Sequence, residues 1–141
     1  MGRIKVTIDF LGNRKELIPA VGEMRWKEWG RPPEPEDIQF WIDISAKEAG
    51  TESLPVTWVA VDEDGKAAGA VGLDIYEMEE RRDRSPWITG TIVRKDLRGA
   101  GIGSVLLAEL EKWAFQKGYD TVWVATGNHA VNFYKKTGMT L

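Results

Sequence analysis

The feature that most limits what this chain can become is a glycine-rich turn, Arg98-Gly99-Ala100-Gly101-Ile102-Gly103. An apolar strand-like run precedes it and a long amphipathic helix pattern follows. Glycines at such a junction let the backbone turn tightly and approach a ligand with no Cβ in the way. The free amides and positive dipole end of the following helix then make a site for an anion. Arg94, Lys95 and Arg98 add positive charge just before it. A phosphate-bearing ligand is the natural expectation, but two familiar nucleotide loops fail on residues. A Walker A loop needs Lys before its Ser/Thr, and here Gly103 runs straight into Ser104. The dinucleotide fingerprint needs Gly-x-Gly-x-x-Gly and an acidic residue after the next strand. This chain has Gly-x-Gly-x-Gly, with Ala125 and Thr126 where the acid would stand.

Hydropathy patterning places the loop in an ordered series of elements. Ile4, Val6, Ile8 and Phe10 alternate with polar residues, so 3–10 is expected as a strand. Residues 14–30 carry a weaker helical pattern, interrupted by Pro19 and Gly22. A second helix opens at Pro35-Glu36-Asp37, presents Ile38, Trp41, Ile42 and Ser45 on one face, and stops at Gly50. Two apolar runs, 56–62 and 67–76, flank Glu63-Asp64-Gly65, a strong hairpin signal. After a charged loop at 77–85 come a strand at 86–93 and the glycine loop. The long helix follows, with Ile102, Leu106, Leu110, Trp113 and Ala114 on one face and Gly118 as its stop. A strand at 121–125 and a short helix at 130–137 complete the order. The chain reads as one α/β domain, 1–141, with a mixed sheet and no internal repeat.

Composition narrows the chemistry. At 141 residues the chain suits a single domain that buries roughly two-thirds of its unfolded surface. It contains no Cys, which excludes a cysteine nucleophile, a cysteine-held zinc and a Cys-ligated cluster. A net charge of -3 argues against a nucleic-acid or anionic-membrane partner. No run reaches the length of a membrane-spanning helix, and no signal-peptide core opens the chain, so a cytoplasmic protein is expected. His129 is the only His, and with no Cys no metal site is expected. Seven Trp in so short a chain are read first as core or pocket wall.

At these residues the chain resembles the GNAT superfamily of N-acetyltransferases. Arg98, Gly101 and Gly103 match that family's Arg/Gln-x-x-Gly-x-Gly/Ala signature. Ala130-Val131-Asn132-Phe133-Tyr134 and Thr137-Gly138-Met139 are similar to its Ala-x-x-Phe-Tyr-x-x-x-Gly ending. The resemblance implies a mostly antiparallel central sheet flanked by helices and an acetyl-CoA cosubstrate whose acetyl group passes to an amine. It also implies that backbone groups around Ile92 and Val93 hold the pantetheine arm. Amides of Arg98, Gly99, Ala100, Gly101, Ile102, Gly103 and Ser104 would hold the pyrophosphate, and strands 88–93 and 121–125 would splay to admit the arm. Family members usually continue past Gly138 with two further strands. This chain ends at Leu141, so those strands are expected to be truncated, leaving an edge suited to pairing in a homodimer.

Without cysteine, direct attack by the amine on the thioester in one ternary complex is favoured over a cysteine-linked acyl-enzyme. Tyr134 matches the family's general-acid tyrosine; a phenol is protonated at neutral pH and can donate to the leaving thiolate. The strand 87–93 carries no carboxylate, so the base is left among Asp74, Glu77, Glu79 and a water relay. Trp26, Trp29 and Trp41, with Glu23 and Glu28 nearby, either line an acceptor pocket or simply pack the core. The preferred acceptor is the primary amine of a small molecule. An antibiotic- or protein-acetylating enzyme and a non-catalytic acyl-CoA-binding sensor or partner module are the alternatives.

Overall fold

A computed structural model describes residues 5–75, 86–126 and 129–135. The two apolar runs around the Asp-Gly turn form β2 (Val56–Val61) and β3 (Ala67–Asp74). Their turn is closed by Asp62, whose Oδ1 accepts from the backbone N–H of Asp64 and of Lys66, both at 2.9 Å. Gly65 takes φ +80 there, a value a side chain would resist. With β1 (Thr7–Phe10), β4 (Trp87–Val93), β5 (Thr121–Thr126) and β6 (His129–Lys135), these strands make a six-stranded sheet in sequential order. Every neighbouring pair is antiparallel except β4 and β5, which run parallel. The mixed, mostly antiparallel sheet expected from the sequence is present.

Strand alternation sends side chains to two separate cores. On one face Val56, Trp58, Ala60, Leu73, Ile88 and Val122 pack against α3 (Ile102–Gln116) through Ile102, Leu106, Leu110, Trp113 and Ala114. Leu106 and Leu110 are fully buried, so truncating either to Ala costs about 2–5 kcal/mol. Trp113 meets Trp58 edge-on with ring centroids 5.6 Å apart. Gly118, at φ +94, closes the helix as its periodicity predicts. On the opposite face Val59, Val61, Ala67, Ala70 and Ile92 receive Leu17 and Val21 at the start of α1 (Ile18–Trp29). Beside α1 lies α2 (Ile38–Lys47), whose first turn is capped by the Asp37 carboxylate accepting from Gln39 N–H at 3.1 Å.

Three sequence expectations are corrected. The first strand begins at Thr7, two turns of 3-10 helix follow it, and α1 then runs unbroken through Pro19 and Gly22. Pro19 sits in the first turn, where its missing N–H is not needed. Gly22 is a packing residue: a Cβ there would lie 2.6 Å from Ile42 Cα on α2. Residues 130–137 were expected as a helix, but 129–135 form strand β6, antiparallel to β5, with Val122 opposite Tyr134 and Ala125 opposite Ala130. Only two residues, Gly127-Asn128, connect the strands, and so short a link returns the chain antiparallel beside itself. The final strand start expected at 139–141 and the charged loop holding Glu77 and Glu79 lie outside the described residues.

Candidate functional site

Parallel strands β4 and β5 meet at one point. Trp87 is in register with Trp123, and Trp123 N–H donates to Pro86 O at 2.9 Å. No further register pair joins them, so the strands diverge from there toward the C-terminal end of β4. That end carries Ile92 and Val93, and a short 3-10 turn, Lys95–Leu97, leads from it to the glycine loop. The sheet therefore opens into a wedge, with the glycine loop across its wide end. The expected splay is present.

The loop has the geometry its glycines imply. Gly99 and Gly101 both hold φ +85, and a Cβ at either would meet no protein atom within 4 Å. Gly101 is the residue before α3, and no side chain caps the helix, which leaves its first-turn amides to water or a ligand. A groove of about 770 Å³ lies between α1 and the segment from Ile92 to Arg98 that leads into this loop. Its lining carries six cationic side chains (Lys27, Arg31, Lys66, Arg94, Lys95, Arg98) against three carboxylates (Glu23, Glu28, Asp96). A smaller groove of about 340 Å³, lined by Glu28, Trp29, Thr91, Ile92, Val93 and Arg98, follows β4 inward.

The positive charge read from the sequence is partly committed. Arg94 bonds Asp96 at 2.8 Å, Asp62 at 3.1 Å and the Ala67 carbonyl at 3.2 Å, which ties β4 to the β2–β3 hairpin. The Lys66 amide and then Arg94 hold the Asp62 carboxyl below its ordinary range. Arg98 reaches Glu28 of α1 at 2.9 Å, while its Nε donates to the Val93 carbonyl at 3.1 Å. Lys95, Lys27 of α1, Arg31 just beyond its end and Lys66 of the hairpin supply the rest of the field.

Sequence reasoning missed a buried polar cluster beneath β4. Arg25 of α1 is 2% exposed; its Nη1 donates to Ser45 Oγ at 3.0 Å and to Glu48 Oε1 at 3.1 Å. Burial pushes the Glu48 carboxyl up against the opposing pull of Arg25, and nearby Asp74 adds to the rise. Thr57 and Thr89 contribute hydroxyls on the same inner region, both buried and without partners. The signal available was Arg25 itself, one helical turn after Val21 on the face that packs inward.

Of the residues expected to hold the cosubstrate, Ile92, Val93 and Arg98 line both grooves, and Gly103 stands beside Val93, where a Cβ on it would lie 3.8 Å from Val93 Cγ2. Tyr134 lies across from Val122 on β6. Asp74 ends β3, opposite Trp87. Of the early tryptophans, Trp41 is core, its indole N–H donating to Pro35 O at 3.0 Å, and Trp26 donates to Glu36 O at 2.8 Å. Only Trp29 lines the inner groove. Among the described residues no cluster of His, Asp or Glu could hold a metal ion, and no helix is long and apolar enough to cross a membrane.

Comparison with known proteins agrees with this geometry. Residues 18–139 match the model of the acetyltransferase (GNAT) family. A Trypanosoma brucei acetyltransferase is 21% identical with a TM-score of 0.58, over 88% of this chain and 84% of that one. An aminoglycoside 6'-N-acetyltransferase complexed with coenzyme A reaches a TM-score of 0.67 at 17% identity, over 85% of this chain and 61% of that one. A GNAT family N-acetyltransferase from Escherichia coli, in complex with CoA, gives 0.62 at 15% identity, over 88% and 64%. At these identities the likeness is one of fold. No curated protein matched the sequence.

Proposed function

The chain belongs to the acetyltransferase (GNAT) family, and on that premise we propose that it transfers an acetyl group from acetyl-CoA to a primary amine of a small molecule. The observation that carries this reading is the wedge between β4 and β5 with the uncapped α3 N-terminus at its wide end. A pantetheine arm is a narrow, amide-bearing chain that can pair with the free edge of β4 around Ile92 and Val93. A pyrophosphate at the loop then meets the amides of Arg98 to Ser104, and the cationic lining suits the remaining phosphate.

Transfer proceeds directly. The amine attacks the thioester carbonyl as its free base, the C–N bond forms, and the C–S bond breaks to release a thiolate. Tyr134 gives that thiolate its proton, and the proton lost by the amine leaves through water or Asp74. Holding both reactants in one complex supplies the orientation that a bimolecular encounter lacks. Chain composition fits this route, since no cysteine is present to carry the acetyl group.

The test begins with calorimetric titration of the protein with acetyl-CoA, CoA and NADH. Micromolar binding of the two CoA species and none of NADH is expected; failure of acetyl-CoA to bind overturns the reading. Tyr134→Phe should then lower kcat more than tenfold and leave acetyl-CoA affinity unchanged. An unaltered kcat removes Tyr134 from the mechanism.

A further inference from the structure

Arg25 is the only buried charged side chain among the described residues, and three of its five N–H donors are unused. Nη1 is occupied by Ser45 and Glu48, whereas Nε and Nη2 have no acceptor. Those two N–H groups share one edge of the planar guanidinium. It is a fork that grips a carboxylate through two parallel hydrogen bonds. Buried donors are almost always paired, so an orphaned fork points to a ligand that belongs there.

The guanidinium packs against β4 at a position that carries no side chain. A Cβ at residue 90 would lie 2.8 Å from Nη2 and 3.0 Å from Nε, so only glycine tolerates the guanidinium against the strand. Gly90 holds φ +54 and falls in the stretch where the β3–β4 register skips, between Thr89 opposite Gly72 and Ile92 opposite Ala70. Its neighbour Thr91 lines the inner groove, and so do Glu28 and Trp29, one turn further along α1 than Arg25. The unpartnered Thr89 and Thr57 hydroxyls lie alongside: a Cβ at Gly72 would be 2.7 Å and 3.5 Å from them. An orphaned fork against Gly90 and two orphaned hydroxyls around Gly72 thus occupy adjoining strands, with Thr91 of the groove lining next in sequence to Gly90.

We propose that the Arg25 fork receives a carboxylate of the acetyl acceptor, which makes the acceptor an amine that also carries a carboxylate, such as an amino acid. This rests on the acetyltransferase reading above. The Glu48 and Ser45 contacts hold the guanidinium so that the fork presents to β4. A carboxylate bound there leaves the rest of the acceptor running out along Thr91, toward the point where the acetyl group must arrive.

Products make the cleanest probe, because they need no turnover. The protein–CoA complex is titrated with a panel of N-acetyl amino acids and, in parallel, with their amides. The carboxylates are expected to bind at least about tenfold more tightly than the amides, and Arg25→Lys, which keeps the charge but loses the fork, should bring each pair to within threefold. As a measurement that needs no variant, wild-type kcat/KM is compared for amino acids and amino-acid amides at equal free-base concentration, with the same preference expected. Equal binding within pairs, preference for the amides, or binding of neither class overturns the proposal. Failure of CoA itself to bind overturns the acetyltransferase reading instead.

Discussion

Gly101 holds φ +85 just before α3, with open space where a side chain would stand. A methyl group there meets no protein atom, so the effect of Gly101→Ala is backbone strain of about 1 kcal/mol and a re-aimed first turn. Thermal unfolding should fall by a few degrees while acetyl-CoA affinity drops tenfold or more; unchanged affinity would detach the loop from the ligand. Glu48 gives a second residue-scale expectation, this time in pH. Burial raises its carboxyl above the ordinary value, so the folded protein holds that proton more tightly than the unfolded chain. Its contribution to stability is therefore largest below its unfolded value near 4.5 and declines as pH rises through the folded value. Glu48→Gln keeps an acceptor for Arg25 and removes the titration. The variant's stability relative to wild type should rise between pH 4 and pH 7 in denaturant unfolding, and a flat difference would refute the assignment.

At the scale of elements, the α1–α2 contact turns on Gly22. Ala is the better helix former by about 1 kcal/mol, but its Cβ would fall 2.6 Å from Ile42 Cα and 2.7 Å from Ile42 Cγ1. Overpacking against backbone outweighs propensity here, and Gly22→Ala should lose about 1–2 kcal/mol by chemical denaturation. A stabilised variant would show that the helices can slide apart at no cost. Gly22 also shows which signals a sequence displays. The strands β2 and β3, the Asp-Gly turn and α3 were legible because each carries a local period and a local punctuation mark. The glycine in α1 read as a break because its reason, Ile42, lies twenty residues away. β6 was misread as a helix because Ala130, Phe133 and Tyr134 satisfy a helical spacing, while Gly127-Asn128, the hairpin signal, stood just upstream. The glycine loop and the end of β4 were readable as a candidate site, because glycines and cations cluster there in one stretch of chain. Arg25 and Glu48 were not, since a buried ion pair is made by two helices meeting and leaves no spacing in either.

Across the whole molecule, charge is arranged to favour an anion at the groove but also to guard it. The cations lining the larger groove come from α1, the β2–β3 hairpin and the segment before the glycine loop, and no single element accounts for the field. Glu28 on α1 intrudes on it, reaching across to Arg98 at 2.9 Å. Both side chains are more than a third exposed, so the pair adds little to stability: about 0–1 kcal/mol, reduced further by salt. Its consequence is for binding. A phosphate-rich ligand at the loop must either share Arg98 with the carboxylate or displace it, and it also feels Glu28's negative charge directly. Glu28→Gln should leave thermal stability within a degree or two yet raise acetyl-CoA affinity severalfold at low ionic strength. The gain should shrink as salt rises and the Debye length falls from about 30 Å at 0.01 M toward about 10 Å at 0.1 M. Titrations of wild type and variant at those two salt concentrations measure both effects. Equal affinities at low salt would mean that the ligand's phosphates lie beyond the reach of Glu28, and the path assigned to the cosubstrate along α1 would have to move.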